Sequence, residues 1–246
     1  LTKSGKFKRE NSSWFEDFRA MNKISDGIKK QFIENASFPF EGRIILELLK
    51  SIPDKSNLMI SNSLPIRDTD FFVSPVNKKI NIFTNRGASG IDGINSTALG
   101  IKGASHEKTF LLIGDLAFFH DMNGLHNSKK FNLPITVILV DNSGGGIFES
   151  LPIAHYKEFF KENFQTPLNI DFRPFIKGYH GLYYSVKNWR QFHRKLLSSI
   201  GNKTLTVLHL KTNAVDSKTR REKYWAQTAQ EVGKYIYEIK NRRDKL

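Results

Sequence analysis

Two apolar runs constrain this chain most: Thr109-Phe110-Leu111-Leu112-Ile113 and Ile135-Thr136-Val137-Ile138-Leu139-Val140. Each is continuous and partly β-branched, so each reads as a strand covered on both faces, as in a parallel sheet. Between them, Met122 to Phe131 reads as a helix stopped by Asn132-Leu133-Pro134, giving a strand-helix-strand crossover. Gly114-Asp115-Leu116 ends the first run and Asp141-Asn142-Ser143-Gly144 the second. Asp115 and Asn142 therefore fall on the same carboxyl edge of the sheet. In open α/β sheets ligands bind at that edge, commonly where the strand order reverses.

The rest of the chain extends the pattern. Trp14 to Asn35 carries Trp14, Phe15, Phe18, Met21, Ile24, Ile28 and Phe32 at near-helical spacing, with Ser12 and Ser13 as candidate caps. Ser37-Phe38-Pro39 breaks that helix and marks a domain boundary near Ser37; Glu41 to Ser51 follows as a second amphipathic helix. Further strands are expected at Leu58-Met59-Ile60, Ile80-Asn81-Ile82-Phe83 and Leu205 to Leu210. Helices are expected at Gly93 to Gly103 and Asn188 to Ile200, and at the end from Glu222 to Lys240, with a basic end facing water. The predicted fold class is α/β, a doubly wound, mostly parallel sheet with helices on both faces.

Mg²⁺ prefers six oxygens, one or two from protein side chains and the rest from phosphate, carbonyl and water. Asp115, Asn142 and a backbone carbonyl from the glycine run that follows would supply such a set. The Gly144-Gly145-Gly146 run lets backbone approach an anion closely. Turn formation at strand ends explains the same Asp and Asn, and on spacing alone both readings stand. Ser63 and Arg67 follow one expected strand and Arg86 another, so all three belong to the ligand edge, where arginine suits a carboxylate. Solvated surface charge, or pairing with Asp68 or Asp70, is the plainer alternative.

Four ordered blocks then carry a resemblance: Ser61-Asn62-Ser63-Leu64-Pro65-Ile66-Arg67-Asp68, Asn85-Arg86-Gly87-Ala88-Ser89-Gly90-Ile91-Asp92-Gly93, GDLAFFHDMNGL from Gly114 to Leu125, and GGGIFESLP from Gly144 to Pro152. The Gly-Asp to Asn segment is similar to the diphosphate and metal motif of thiamine diphosphate enzymes. The full set resembles the C-terminal part of 2-succinyl-5-enolpyruvyl-6-hydroxy-3-cyclohexene-1-carboxylate synthases, enzymes of menaquinone and phylloquinone synthesis. Segments before Phe38 and after Gln165 match only loosely. The resemblance implies thiamine diphosphate with Mg²⁺ or Mn²⁺ as cofactors, held by Gly114, Asp115, Leu116, Asn142 and Gly144, with Asp115, Asn142 and the Gly144 carbonyl as metal ligands. It implies Ile91 as the bulky side chain wedged beneath thiamine, and Ile147 and Phe148 as pocket walls, although core packing explains an Ile-Phe pair equally well. Ser63, Arg67 and Arg86 would grip the succinyl carboxylate. The implied reaction decarboxylates 2-oxoglutarate and transfers the succinyl unit to isochorismate.

The same resemblance assigns residues 1–37 to the helical end of a central domain or linker and 38–246 to the diphosphate-binding domain. Family members are longer and the chain opens on Leu1, so it reads as a fragment or processed product. The glutamate that protonates the aminopyrimidine is expected from a pyrimidine-binding domain of the full-length protein or a partner subunit. No catalytic residue is therefore assigned here; the complete protein is expected to be a homo-oligomer, and the isolated chain to be inactive. Asp141 departs from the second asparagine common in thiamine enzymes, and Leu116 from a small residue; the leucine agrees with the narrower family. Another thiamine enzyme, acetolactate synthase-like or a 2-oxo acid decarboxylase, shares the Asp115 to Asn142 motif but gives Arg67 and Arg86 no role.

Composition sets outer limits. The net charge of +14 raises nucleic-acid binding by a non-catalytic basic domain, but the lysines are scattered and no binding motif accompanies them. The Lys, Asn, Ile and Phe bias matches an A+T-rich genome. With no cysteine, thiolate metal sites and disulfides are excluded. No apolar stretch approaches a membrane span and no signal peptide opens the chain, so a soluble, intracellular protein is expected, of bacterial cytoplasm or plastid stroma. His106, His126, His155 and His180 make no metal spacing, His120 has no base partner in the sequence, and no hydrolase motif can be assembled.

Overall fold

The computed structural model describes residues 13–243, so the candidate cap Ser12 lies outside the described residues. Cα packing divides the chain into two compact units, residues 36–220 and residues 1–35 with 221–246.

The elements run α1 (Ser13–Asn35), α2 (Glu41–Ser51), β1 (Asn57–Ile60), α3 (Leu64–Phe72), β2 (Asn81–Phe83), α4 (Ile94–Gly103), β3 (Thr109–Gly114), α5 (Asp115–His120), α6 (His126–Lys130), β4 (Thr136–Asp141), α7 (Lys157–Phe160), α8 (Arg173–Gly178), β5 (Leu182–Ser185), α9 (Trp189–Ser199), β6 (Thr206–Lys211) and α10 (Ala214–Arg243). In the smaller unit, α1 buries Ile28 and Ile33, and the Phe32 and Tyr224 rings lie 5.5 Å apart.

The larger unit is built on a six-stranded sheet in the order β2-β1-β3-β4-β6-β5. Every pairing is parallel, so the sheet is wholly rather than mostly so. Period-two alternation sends Met59, Leu111, Ile113, Val137, Leu139 and Val207 to one face, against Ile94, Ala98, Leu99, Phe118 and Ile176. Leu58, Ile60, Phe110, Leu112, Ile138, Val140, Leu208 and Leu210 go to the other, against Ile44, Ile45, Leu48, Leu49, Phe192 and Leu196. Both faces are apolar and helix-covered, which is why the central strands read as unbroken hydrophobic runs.

Local chemistry sets the element ends. Asn188 Oδ1 accepts from Gln191 N at 2.8 Å while Gln191 Oε1 accepts from Lys187 N at 3.0 Å, a reciprocal cap that starts α9. The helix expected from Met122 to Phe131 is instead broken: α5 begins at Asp115 itself, a 3-10 turn spans Met122–Leu125, and α6 follows. Asp121 stands where α5 gives way to that turn. Its backbone leaves helical geometry, and its carboxylate accepts from Ser96 N at 2.7 Å and Ser96 Oγ at 3.0 Å, capping the first turn of α4 instead. Strand β5 escapes prediction because Leu182, Tyr183, Tyr184 and Ser185 form a short, half-exposed edge. Helices α3 and α8 are also absent from the sequence expectations.

Candidate active site

The chain passes from β1 out to β2 and then back to β3 on the other side of β1, so the strand order reverses between β1 and β3. At that carboxyl edge lies a cavity of 570 Å³, floored by the ends of β1, β3 and β4. Ser63, Arg67, Arg86, Ile91, Gly114, Asp115, Leu116, Asn142, Gly144, Ile147 and Phe148 all line it. All eleven residues singled out from the sequence are thus brought to one wall or another of a single space.

The metal-type donors follow the ends of β3 and β4. Asp115 is buried, and its Oδ2 accepts from Gly144 N at 2.7 Å. Burial first, and then the charge of neighbouring Asp141, push the Asp115 carboxyl up to about 7. A divalent cation beside it would offset both effects. Asn142 Oδ1 is a buried atom with no hydrogen-bond partner, a costly state for a polar oxygen. A carboxylate, an amide oxygen and a backbone carbonyl are the hard donors that Mg²⁺ or Mn²⁺ take. These residues therefore fit such an ion. The third donor, the Gly144 carbonyl, accepts from Gly146 N at 2.9 Å and keeps a second lone pair. Among the described residues no group of three or more His, Cys, Asp or Glu is placed to hold a metal.

The glycine run is shaped by close approach. Gly144 has φ 118°, and a Cβ there would collide with the Gln165 carbonyl; a Cβ on Gly146 would lie 2.5 Å from Asn142 Nδ2. Gly145 N donates to Gln165 O at 2.6 Å, tying the loop to a segment where Asn163, Phe164 and Thr166 also line the cavity. Phe164 packs edge-on to Phe148 at 5.8 Å.

The opposite wall is cationic. Arg67 is exposed on α3 and donates to Ser63 O at 2.9 Å; Arg86 donates to Asn62 Oδ1 at 3.2 Å. Neither arginine has an ion pair with Asp68 or Asp70 among the described residues, so both guanidinium groups keep donors for a ligand. Asn62 also donates to Asn85 O at 3.0 Å and Gly90 O at 2.6 Å, holding the loop that carries Arg86 and Ile91. Ser63, at φ 73° and ψ −133°, occupies backbone territory that side-chain-bearing residues avoid, a strain typical of ligand-contacting turns.

Several lining residues escaped the sequence. Glu41 heads α2 yet reaches the cavity, and Thr212 bonds to it from the end of β6. Neither carries a motif signal; only the fold joins them. Asp141, close enough to Asp115 to push its carboxyl up, also borders a 580 Å³ polar cavity that Asp115 lines too, where His209 Nε2 meets Asp141 Oδ2 at 2.8 Å and Tyr183 Oη meets His209 Nδ1 at 2.5 Å. With Nε2 donating to Asp141, Nδ1 accepts the Tyr183 proton. Burial opposes ionisation of Asp141, but the bonds from His209 and Ser143 N hold its carboxyl below the usual range.

Comparison with known proteins places this geometry. The family model for the thiamine pyrophosphate enzyme C-terminal TPP binding domain matches residues 73–210, more than half of the chain. The chain belongs to that family. It is 38% identical over 226 residues to 2-succinyl-5-enolpyruvyl-6-hydroxy-3-cyclohexene-1-carboxylate synthase of Bacillus cytotoxicus, covering 92% of this chain and 38% of the relative. The synthase of Listeria welshimeri is 39% identical over 218 residues, 89% of this chain and 37% of the relative. This thiamine-enzyme domain therefore spans a little over a third of the length of these curated relatives. A solved structure, the Rhodococcus jostii RHA1 thiamine diphosphate-dependent 4-hydroxybenzoylformate decarboxylase, superposes with a TM-score of 0.60 at 18% identity, covering 71% of this chain and 32% of that one. It shares the fold. Among the described residues no helix is long and apolar enough to cross a membrane.

Proposed function

We propose that this domain is the C-terminal part of a 2-succinyl-5-enolpyruvyl-6-hydroxy-3-cyclohexene-1-carboxylate synthase, decarboxylating 2-oxoglutarate and joining the succinyl unit to isochorismate. The observation that carries the proposal is the shared cavity: Ser63, Arg67 and Arg86 on one wall, Asp115 and Asn142 on its floor. In this reading residues 1–37 are the end of a central domain and 38–246 the diphosphate-binding domain.

Thiamine diphosphate, when bound, supplies the heterocycle that stabilises charge left behind by decarboxylation. Everything else falls to the protein. Asp115 Oδ1, Asn142 Oδ1 and the Gly144 carbonyl would hold Mg²⁺ or Mn²⁺, and the glycine-loop backbone would approach the diphosphate. Ile91, Ile147 and Phe148 would wall the aromatic rings. Arg67 and Arg86, with the Ser63 hydroxyl, would orient the distal carboxylate of 2-oxoglutarate, since guanidinium binds carboxylate bidentately and stays charged. The same positive wall would draw in isochorismate, also an anion. A glutamate from a pyrimidine-binding domain would complete the site, and a menaquinone or phylloquinone pathway would consume the product.

Replacing the matching C-terminal region of the Bacillus cytotoxicus synthase with this chain tests the proposal. A folded chimera that forms the succinylated product from 2-oxoglutarate and isochorismate supports it. A chimera that binds thiamine diphosphate but decarboxylates only short, uncharged-tail 2-oxo acids refutes it in favour of another thiamine enzyme.

A further inference from the structure

An asparagine can turn either its oxygen or its nitrogen toward a cation, and only the oxygen is a ligand. The terminal torsion of Asn is broad and roughly two-fold, so the side chain does not choose by itself. Two contacts choose for Asn142. Its Nδ2 donates to Glu41 Oε1 at 3.0 Å, while Oδ1 stays buried without a partner. A carboxylate oxygen serves as an acceptor, so Glu41 Oε1 takes the Nδ2 donor and leaves Oδ1 facing elsewhere. On the other side Gly146 leaves room for the amide, since a Cβ there would overlap it.

Glu41 is itself held. Thr212 Oγ1 donates to the same Oε1 at 2.7 Å, and Thr212 N donates to Asp141 O at 2.8 Å, fixing the threonine beside the strand that delivers Asn142. Glu41 lies in the first turn of α2, where the helix dipole favours a carboxylate, and it is 5% exposed. Asn142 and Thr212, 101 and 171 positions along the chain from Glu41, thus converge on its one carboxylate oxygen.

We propose that Glu41, braced by Thr212, is the positioning residue that turns Asn142 Oδ1 toward the divalent cation. This rests on the cofactor reading above, and it assigns Glu41 no contact with metal or substrate. Outer partners of metal ligands typically change affinity without touching the ion.

The test is Mn²⁺ affinity of this chain at saturating thiamine diphosphate, read by electron paramagnetic resonance, for the wild type, Glu41→Leu, Glu41→Gln and Thr212→Val. Glu41→Leu should weaken Mn²⁺ by about 10- to 100-fold. Glu41→Gln should stay within about threefold of the wild type, because its carbonyl can accept both donors. Thr212→Val should fall between them. The metal-free thermal midpoint is recorded in parallel, because a purely structural role would lower it and leave the Mn²⁺ affinity of the folded protein unchanged. Wild-type Mn²⁺ affinity in folded Glu41→Leu overturns the inference. If that variant does not fold, wild-type affinity in Thr212→Val overturns it instead. A wild-type chain that binds no Mn²⁺ with thiamine diphosphate refutes the cofactor reading itself, a different result from a wild type that binds and a Glu41 variant that binds equally.

Discussion

Gly146→Ala converts a packing detail into a measurable loss of cofactor. The new Cβ would lie 2.5 Å from Asn142 Nδ2, 2.9 Å from its Cγ and 3.2 Å from its Oδ1. Ordinary contact begins at 3.4 Å, so the amide must retreat by about 0.9 Å. The amide is the far end of a side chain and can move, which limits the cost to folding. Moving it breaks the bond to Glu41, and a hydrogen bond to a charged group is worth about 1.5–3 kcal/mol. It also displaces the proposed metal ligand, for which about 10- to 100-fold weaker metal binding, or about 1.4–2.7 kcal/mol, is expected. Urea unfolding of the metal-free protein reads the first effect, and calorimetric titration with Mn²⁺ and thiamine diphosphate reads the second. Gly100→Ala is the control. It lies in α4 with nothing within 4 Å of its added Cβ, so it should stabilise by about 0.5–1 kcal/mol and leave metal binding alone. Unchanged metal affinity in Gly146→Ala would refute the placement of Asn142 at the ion.

Glu47 provides a pH test away from the site. Burial would raise its carboxyl, but hydrogen bonds from Arg43 at 2.9 Å and His193 at 2.8 Å hold it below its ordinary value of 4.5. A lowered folded value means this stabilisation is complete above 4.5 and lost as pH falls through the folded value. Glu47→Gln should therefore cost about 1–3 kcal/mol at pH 7, with the gap to wild type closing in acid; a gap that widens in acid contradicts the network. Arg67→Ala and Arg86→Ala, compared in the active chimera, should each weaken apparent 2-oxoglutarate affinity by about 10-fold or more, the worth of a charge-assisted hydrogen bond. Unaltered affinity in both would favour a thiamine enzyme acting on uncharged-tail 2-oxo acids.

What the sequence disclosed depended on how locally each feature is encoded. The strands from Thr109 and Thr136 were legible because burial on both faces demands unbroken apolar residues, and the placement of Asp115 and Asn142 followed from where those runs stop. Ser63, Arg67 and Arg86 were legible through motif blocks, each contiguous in the chain. Glu41 was not, because an acid at a helix start ordinarily answers the dipole and nothing nearby in sequence names Asn142 as its partner. The break at Asp121 was hidden for the same reason: its carboxylate serves Ser96, 25 residues earlier. Asp141, visible only as a departure from asparagine, gains its meaning from His209, 68 residues away.

Titration of thiamine diphosphate into this chain, once with Mg²⁺ and once with a chelator in its place, addresses the Asp115 and Asn142 site most directly. Saturable binding with Mg²⁺, lost with the chelator and lost again in Asn142→Ala, is the predicted result. Equal binding with and without metal, or binding indifferent to Asn142→Ala, would contradict it.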